Sequence, residues 1–286
     1  MVVGAGGLLG ESLVARFGGG GPVAAIDSRR LLARLEGEGR REVANLCKRA
    51  DARQDWLFAF GNVNPKSDPA ELQRANVDLP LRLYDAVAGA ASAQGLTAGA
   101  VRIVTFGSIL ENREAIGAAN PYLASKSRLK MAWQDRASRG GLPWVHFQLH
   151  TLYGRRKPHD FMFLGQMEKA LRERTPFLMS AGEQVREYHH VDDVAGNVIR
   201  YLQGAASAPE RIELNSGNTI RLKSLAEAVF RHFGLDGMMR VGALAAQRGD
   251  VIEGSYARSP HCAESRDAVE GIAAWLEGLG IRKAGT

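Results

Sequence analysis

Three side chains in one stretch of the sequence have the types and spacing to move a proton. Tyr122 and Lys126 stand four residues apart in "YLASK", and Ser108 lies fourteen positions before the tyrosine at the end of "RIVTFGS". On a helix, a spacing of four places the phenol and the ammonium on one face. The ammonium favours the phenolate, which should lower the tyrosine pKa from about 10 and make it a proton donor or acceptor near neutrality. Lys126 can also hold a ribose hydroxyl. Ser108, just past the C-terminal end of a strand, can bind a substrate oxygen. By itself Tyr-x-x-x-Lys describes many exposed helix faces, so its context decides.

That context includes a glycine-rich turn. "MVVGAGGLLG" spaces Gly4, Gly7 and Gly10 as GxxGxxG between an apolar strand and a helix that Leu8 and Leu9 should open. A turn without Cβ atoms lets a pyrophosphate approach the backbone, and the free N–H groups and dipole of the helix attract the anion. The chain holds 33 glycines, so the spacing needs a second signal, and "VAAIDS" supplies it with a strand ending in Asp27, 23 positions after Gly4. A carboxylate there can accept both hydroxyls of an adenosine ribose. Ser28, Arg29 and Arg30 follow, and an arginine there can instead hold a 2′-phosphate. The expected cofactor is a dinucleotide, with NAD(H) favoured by Asp27 and NADP(H) left open by the arginines.

Strands must position these groups. Apolar runs at 1–3, 23–26, 56–60, 102–106 and 144–148 alternate with helix-period segments at 8–17, 70–93 and 122–139. This alternation predicts βαβ units and a doubly wound parallel sheet of the α/β class. The first strand is short, as a frayed strand at the sheet edge would be, or as a start codon lying upstream would make it. After about residue 150 the pattern loosens, with helices expected in 160–174, 222–234 and 267–280. Residues 1–150 read as a dinucleotide-binding domain. Residues 151–286 read mainly as a smaller substrate-binding lobe at the C-terminal edge of the sheet, with some returning sheet elements.

The 286 residues are 45% hydrophobic and 24% charged, enough for a full core without disulfides or metals. Cys47 and Cys262 lack a CxxC spacing, so buried thiols are expected rather than a disulfide framework or a zinc site. No apolar run approaches the roughly 20 residues of a membrane span, and the N-terminus lacks the layout of a secretory signal, so a cytoplasmic protein with no membrane partner is expected. The net charge of +6 comes from 37 basic residues dispersed along the chain. That argues against a nucleic-acid partner and suits a substrate carrying phosphates.

In this order the motifs resemble an extended short-chain dehydrogenase/reductase of the nucleotide-sugar epimerase/dehydratase kind. "VVGAGGLLG" resembles the family's cofactor turn, "DWLFAFGNVNP" its fourth strand and loop, "RANVDLPLRLYDAV" its Asn-Val helix, and "TFGS" with "YLASK" its catalytic triad. "LYG", "GEQVREYHHVDDVAGNVI", "ELNSGNTIRLKSLAEAV" and "RGDV" follow in the order of its substrate lobe. The resemblance implies a Rossmann fold, with Ser108 as donor to a substrate oxygen, Tyr122 as acid/base, and Lys126 as its electrostatic partner and ribose anchor. It also implies Phe60 and Gly61 beside the nicotinamide, Asn76 as support for the central helix, and Arg186 and Arg248 on the diphosphate of a sugar nucleotide. Thr151 replaces an asparagine that often contacts the substrate phosphate. A homodimer formed through 70–93 and 122–139 is implied as well.

His189 and His190 invite a metal reading, yet no carboxylate shares their spacing, so packing is expected and no metal. Asp192 and Asp193 read as helix caps. No good third strand precedes Trp56, which leaves the adenine-side acidic contact unidentified. Family dehydratases follow the serine or threonine with an Asp-Glu pair, whereas Ser108 is followed by Ile109, Leu110 and Glu111. Dehydration is therefore disfavoured. The compressed loop between Ser108 and Tyr122 resembles 4-ketoreductases that finish deoxysugars, which makes ketoreduction the expected reaction and 4-epimerisation with retained NAD the alternative. A non-catalytic dinucleotide sensor would be expected to lose Tyr122 or Lys126, and both are present.

Overall fold

The computed structural model describes residues 1–18, 23–47, 53–96, 99–112, 120–204, 211–245, 254 and 256–285. The chain divides into two compact units, one of Met1–Leu149 with Val198–Glu213 and one of His150–Asn197 with Leu214–Thr286.

The first unit is built on six parallel strands: β1 (Val2–Val3), β2 (Ala25–Ile26), β3 (Gln54–Phe58), β4 (Val101–Ser108), β5 (Trp144–Leu149) and β10 (Arg211–Glu213). Their order is β10-β5-β4-β3-β1-β2. All six residues of β5 and the first five of β4 are buried, as expected of strands covered on both faces. The helices are α1 (Leu8–Phe17), α2 (Ser28–Ala33), α3 (Glu38–Cys47), α4 (Pro69–Gln73), α5 (Leu79–Ala93) and α6 (Pro121–Ser138). One core joins Trp56 and Phe58 of β3 to Leu83 and Tyr84 of α5 and Leu129 and Trp133 of α6. Trp133 stacks on Trp144 at 6.1 Å and takes the edge of Tyr84 at 4.9 Å.

The chain runs outward from β1 to β2, then returns across β1 to β3 and continues to β4, β5 and β10. The reversal between β1 and β3 is a topological switch point, and ligands of doubly wound sheets bind beside the carboxyl ends of the strands there. This corrects the reading of the first strand as a frayed edge: β1 is short but lies inside the sheet, paired to β2 by Val2 with Ala25 and to β3 by Val2 with Leu57. Between β2 and β3 the described residues form two helices joined by a turn, and no strand among them.

The segment 70–93 is also not one continuous helix. Arg74–Asp78 forms a π-helical turn between α4 and α5. Pro80, in the first turn of α5, has no N–H to give and its ring crowds the carbonyl four residues earlier, at Asn76. The ladder widens at that point.

The second unit holds β6 (Thr151–Tyr153) parallel to β9 (Tyr188–His190), β7 (Phe177–Met179) parallel to β12 (Met239–Val241), and β8 (Val185–Arg186) antiparallel to β11 (Ile220–Arg221). Its helices are α7 (Phe163–Glu173), α9 (Leu222–His232) and α10 (Ala268–Gly278), while the residues of α8 (Val191–Gly204) are divided between the units. Met167, Leu171, Phe177, Phe230, Ile272 and Trp275 form part of its core. Cys47 and Cys262 are buried free thiols. No helix among the described residues is long and apolar enough to cross a membrane.

Candidate active site

The glycine turn leaves β1 at Gly4, whose φ of +91° an L side chain rarely adopts. Gly4 N–H donates to Ile26 O, and Gly7 N–H donates to Gly4 O. A Cβ on Gly10 would sit 2.0 Å from Gly4 O, so the first turn of α1 packs directly on the loop. The residue before Leu8 is Gly7, which offers no side chain to cap the helix. The N–H groups of Leu8, Leu9 and Gly10 therefore lack intrahelical partners and carry the positive end of the helix dipole. This cradle fits a pyrophosphate.

Asp27 lies at the end of β2, exposed, as the N-cap of α2, with its Oδ1 accepting from Arg30 N–H at 2.9 Å. Ser28 and Arg29 form the first turn of that helix.

Phe60 and Gly61 follow β3 on the other side of the switch point. A Cβ on Gly61 would lie 2.7 Å from Asn76 Oδ1 and 3.7 Å from Lys126 Nζ, which brings three chain segments together. Asn76 fastens them. Its Oδ1 accepts from Asn62 N–H at 2.7 Å, and its Nδ2 donates to Asn62 O at 2.9 Å and to Ser125 Oγ at 3.0 Å. The loop after β3 is thus tied to α6 through the π-helical turn.

Helix α6 starts where Asn120 Oδ1 accepts from the N–H groups of Tyr122 and Leu123. Lys126 is buried, with Nζ donating to Phe106 O at 3.4 Å and lying 5.8 Å from the Tyr122 ring centroid. The ammonium thus reaches the C-terminal end of β4, two residues before Ser108. The Ser108 hydroxyl accepts from Leu110 N–H at 3.2 Å, and its own N–H donates to Glu111 Oε2 at 3.0 Å.

Sequence reasoning passed over what lies beneath. Glu111 is enclosed, and its Oε1 accepts from His146 Nε2 and Gln148 Nε2, each at 2.6 Å. Thr105 Oγ1 stands 2.7 Å from His146 Nδ1 and accepts from Trp144 Nε1 at 2.8 Å. With the His146 proton on Nε2, every member of this relay is satisfied. Gln148 Nε2 also donates to Asn112 Oδ1, which accepts from Lys130 Nζ. A signal was present: His146 and Gln148 interrupt a fully buried strand at a spacing of two, where only apolar side chains are expected.

Burial works to raise the Glu111 pKa, but the His146 contact and the Gln148 and Ser108 donors outweigh it and hold the carboxylate below its ordinary range. Burial pushes the Tyr122 phenol up to about 12, and the Glu111 charge adds to the rise. The acidification expected from Lys126 is not found, because removal of water from the phenolate outweighs an ammonium 5.8 Å from the ring. Burial also lowers the Lys126 pKa, against the pull of Glu111 in the other direction.

In the second unit, Thr151 opens β6 opposite Tyr188, and Arg186 pairs with Ile220, its Nη1 donating to Val185 O at 2.8 Å. Arg248 lies outside the described residues. Two readings change here. Asp192 and Asp193 fall inside the first turn of α8 as ion-pair partners, of Arg155 and of Arg266 respectively, and not as its caps. His189 does have a carboxylate, Glu187 two residues earlier, at 2.9 Å from its Nε2. His190 Nδ1 accepts from Asp192 N–H.

A glycine cradle at the switch point of a parallel sheet, with a lysine that reaches the end of β4 from beside a tyrosine one helical turn away, is the arrangement of the Rossmann-type short-chain dehydrogenases/reductases. The family model described as the NAD dependent epimerase/dehydratase family matches residues 1–217, and the chain belongs to that family. Solved structures share its fold. They include an NAD-dependent NDP-hexosamine 5,6-dehydratase, TunA, involved in tunicamycin biosynthesis (15% identity, 98% of this chain and 97% of that one, TM-score 0.76). A UDP-glucose 4-epimerase from Thermotoga maritima bound to UDP-glucose has 16% identity over 97% of each chain and a TM-score of 0.74. RMD from Pseudomonas aeruginosa, complexed with NADPH, has 16% identity over 96% of this chain and 97% of that one, with a TM-score of 0.71. No curated protein matches the chain.

Proposed function

We propose that this protein is an NAD(P)-dependent oxidoreductase that reduces the 4-keto group of a nucleotide-activated sugar. The observation that carries the reading is Tyr122. It stands four residues from Lys126 on α6, with the Lys126 ammonium 5.8 Å from the centre of its ring. A phenol beside an ammonium can give its proton to a ketone oxygen as negative charge develops there, and the ammonium stabilises the phenolate left behind.

The uncapped N-terminus of α1 and the glycine cradle would hold the pyrophosphate of the cofactor, and the exposed Asp27 would face its ribose. Bound there, NAD(P)H would supply the hydride. Ser108 fixes the substrate oxygen by its hydroxyl. Tyr122 delivers the proton. Lys126 binds a ribose hydroxyl and balances the charge left on the phenolate. Positioning and stabilisation of developing charge carry most of the rate. Dehydration fits this site poorly, because Glu111, the first acid after Ser108, is occupied by His146, Gln148 and Ser108 N–H and is closed off from a substrate. Thr151 and Arg186 are proposed as phosphate contacts, and the preference between the two cofactors rests on Asp27 and Arg29.

The test mixes purified protein with NADH or NADPH and a panel of nucleotide-linked 4-keto-sugars, and follows nicotinamide absorbance together with the sugar product. Stoichiometric oxidation with formation of the 4-hydroxy sugar is expected. Interconversion of 4-epimers without net oxidation would replace reduction by epimerisation, and no turnover of any sugar nucleotide would overturn the reading.

A further inference from the structure

The second unit carries a cluster that the proposed reaction leaves unused. His150, Glu187 and His189 each offer a donor atom, and these atoms all lie within 4.8 Å of one another. We propose that they form a binding site for one divalent transition-metal ion, zinc by the character of the donors, with Asn215 Oδ1 as a fourth ligand.

Glu187 Oε2 is the centre of the set. It lies 2.9 Å from His189 Nε2 and 3.8 Å from His150 Nε2. Around four-coordinate zinc, with bonds of roughly 2.0–2.1 Å, neighbouring ligand atoms stand about 3.3 Å apart. The two separations from Glu187 bracket that value, and with all three pairs within 4.8 Å the donors would have to draw together by at most about 1.5 Å to hold the ion. Asn215 Oδ1 is 2.8 Å from His150 Nε2 and offers a further oxygen beside that donor. Two imidazoles, a carboxylate and an amide oxygen form a borderline nitrogen/oxygen set that suits zinc better than calcium or magnesium.

The surroundings hold these donors in place. The side chains of His150, Glu187 and His189 are all almost fully enclosed. The two imidazoles stack with ring centroids 5.2 Å apart, and Tyr256 packs edge-on against His150 at 4.7 Å. Ser216 N–H and Oγ donate to Glu187 Oε2, and Gly217 N–H donates to Oε1. These donors keep the carboxylate ionised and aimed, as outer partners of metal ligands do. The ion would cross-link, within the second unit, the residue before β6, strand β9 with the residue before it, and the Asn215–Gly217 turn. The sequence hides this site because His189 pairs with a histidine 39 positions away and not with its neighbour His190.

The experiment uses tag-free full-length protein freed of metal by a chelator and titrated with cobalt(II), then with zinc(II). One equivalent of cobalt should give the intense visible absorption of a four-coordinate site, bleached when zinc displaces it, and zinc should raise the melting temperature. His150→Gln and His189→Gln should each weaken zinc binding by about 100-fold or more, since even outer partners of a metal cost 10–100-fold. Imidazole nitrogen NMR on the wild type gives a check independent of the variants, with two of the seven histidines shifting on zinc addition. Absence of stoichiometric binding, unchanged affinity in both variants, or shifts confined to other histidines would each overturn the site. None of these outcomes depends on whether the chain reduces a sugar.

Discussion

Each unit of the molecule encloses one ionised glutamate beside a histidine, and the two glutamates do different work. In the first unit Glu111 takes its donors mainly from side chains of β5, His146 and Gln148, and its charge acts on Tyr122 and Lys126. In the second, Glu187 takes three of its donors from Ser216 and Gly217, and so holds a turn. Both carboxylates meet a histidine and backbone N–H groups, but only Glu111 has a titratable tyrosine and lysine responding to its charge, while Glu187 gathers the successive N–H groups of one turn. Removing charge should disturb the first through pH behaviour and the second through stability.

The largest stability effect should come from Glu187→Ala. It strands the N–H groups of Ser216 and Gly217 and the His189 proton in a dry site, a loss of about 3 kcal/mol or more in chemical denaturation. Acid should reproduce part of it. Glu187 has its pKa lowered to about 2 from 4.5, because the His189 contact, the His150 charge and the Ser216 donors outweigh the effect of burial. Its stabilisation is complete above pH 4.5 and is lost as pH falls from there toward 2.

Asn76→Ala should rank next, at about 2 kcal/mol, because the two hydrogen bonds from the π-helical turn to the loop after β3 and the one to α6 vanish together. Weaker cofactor binding should accompany the loss, since the same loop carries Gly61. Glu111→Gln should cost less stability but move the alkaline titration of Tyr122 downward. A negative charge that favours the neutral phenol is gone, so ultraviolet difference spectra should show phenolate forming at lower pH than in the wild type. Asp27→Ala should be the mildest, losing about 1 kcal/mol with the helix cap and weakening NAD(H) more than NADP(H).

The same contrast explains what could be read from the sequence. Gly4, Gly7 and Gly10, the strand cores, and the Tyr122–Lys126 pair are set by short-range spacing, and the parallel sheet follows from alternating periods. Glu111 was visible as a residue but not as a partner, because His146 lies 35 positions away and meets it only once β4 and β5 pair. Likewise the π-helical turn at Asn76 arises from Pro80, yet its use as a clasp depends on Asn62 and Ser125 arriving from other elements. The sign of the Tyr122 shift was misjudged for a related reason: spacing predicts the neighbouring ammonium, whereas burial is a property of the whole fold.

In the proposed reaction Tyr122 gives the proton in a nicotinamide-dependent reduction. The direct measurement compares wild type with Tyr122→Phe in single-turnover oxidation of bound NAD(P)H by the best sugar nucleotide, with cofactor affinity measured in parallel. Cofactor binding should be unchanged and the rate lower by about 10²–10⁴-fold, the usual worth of a positioned acid. Equal rates in the two proteins would contradict it.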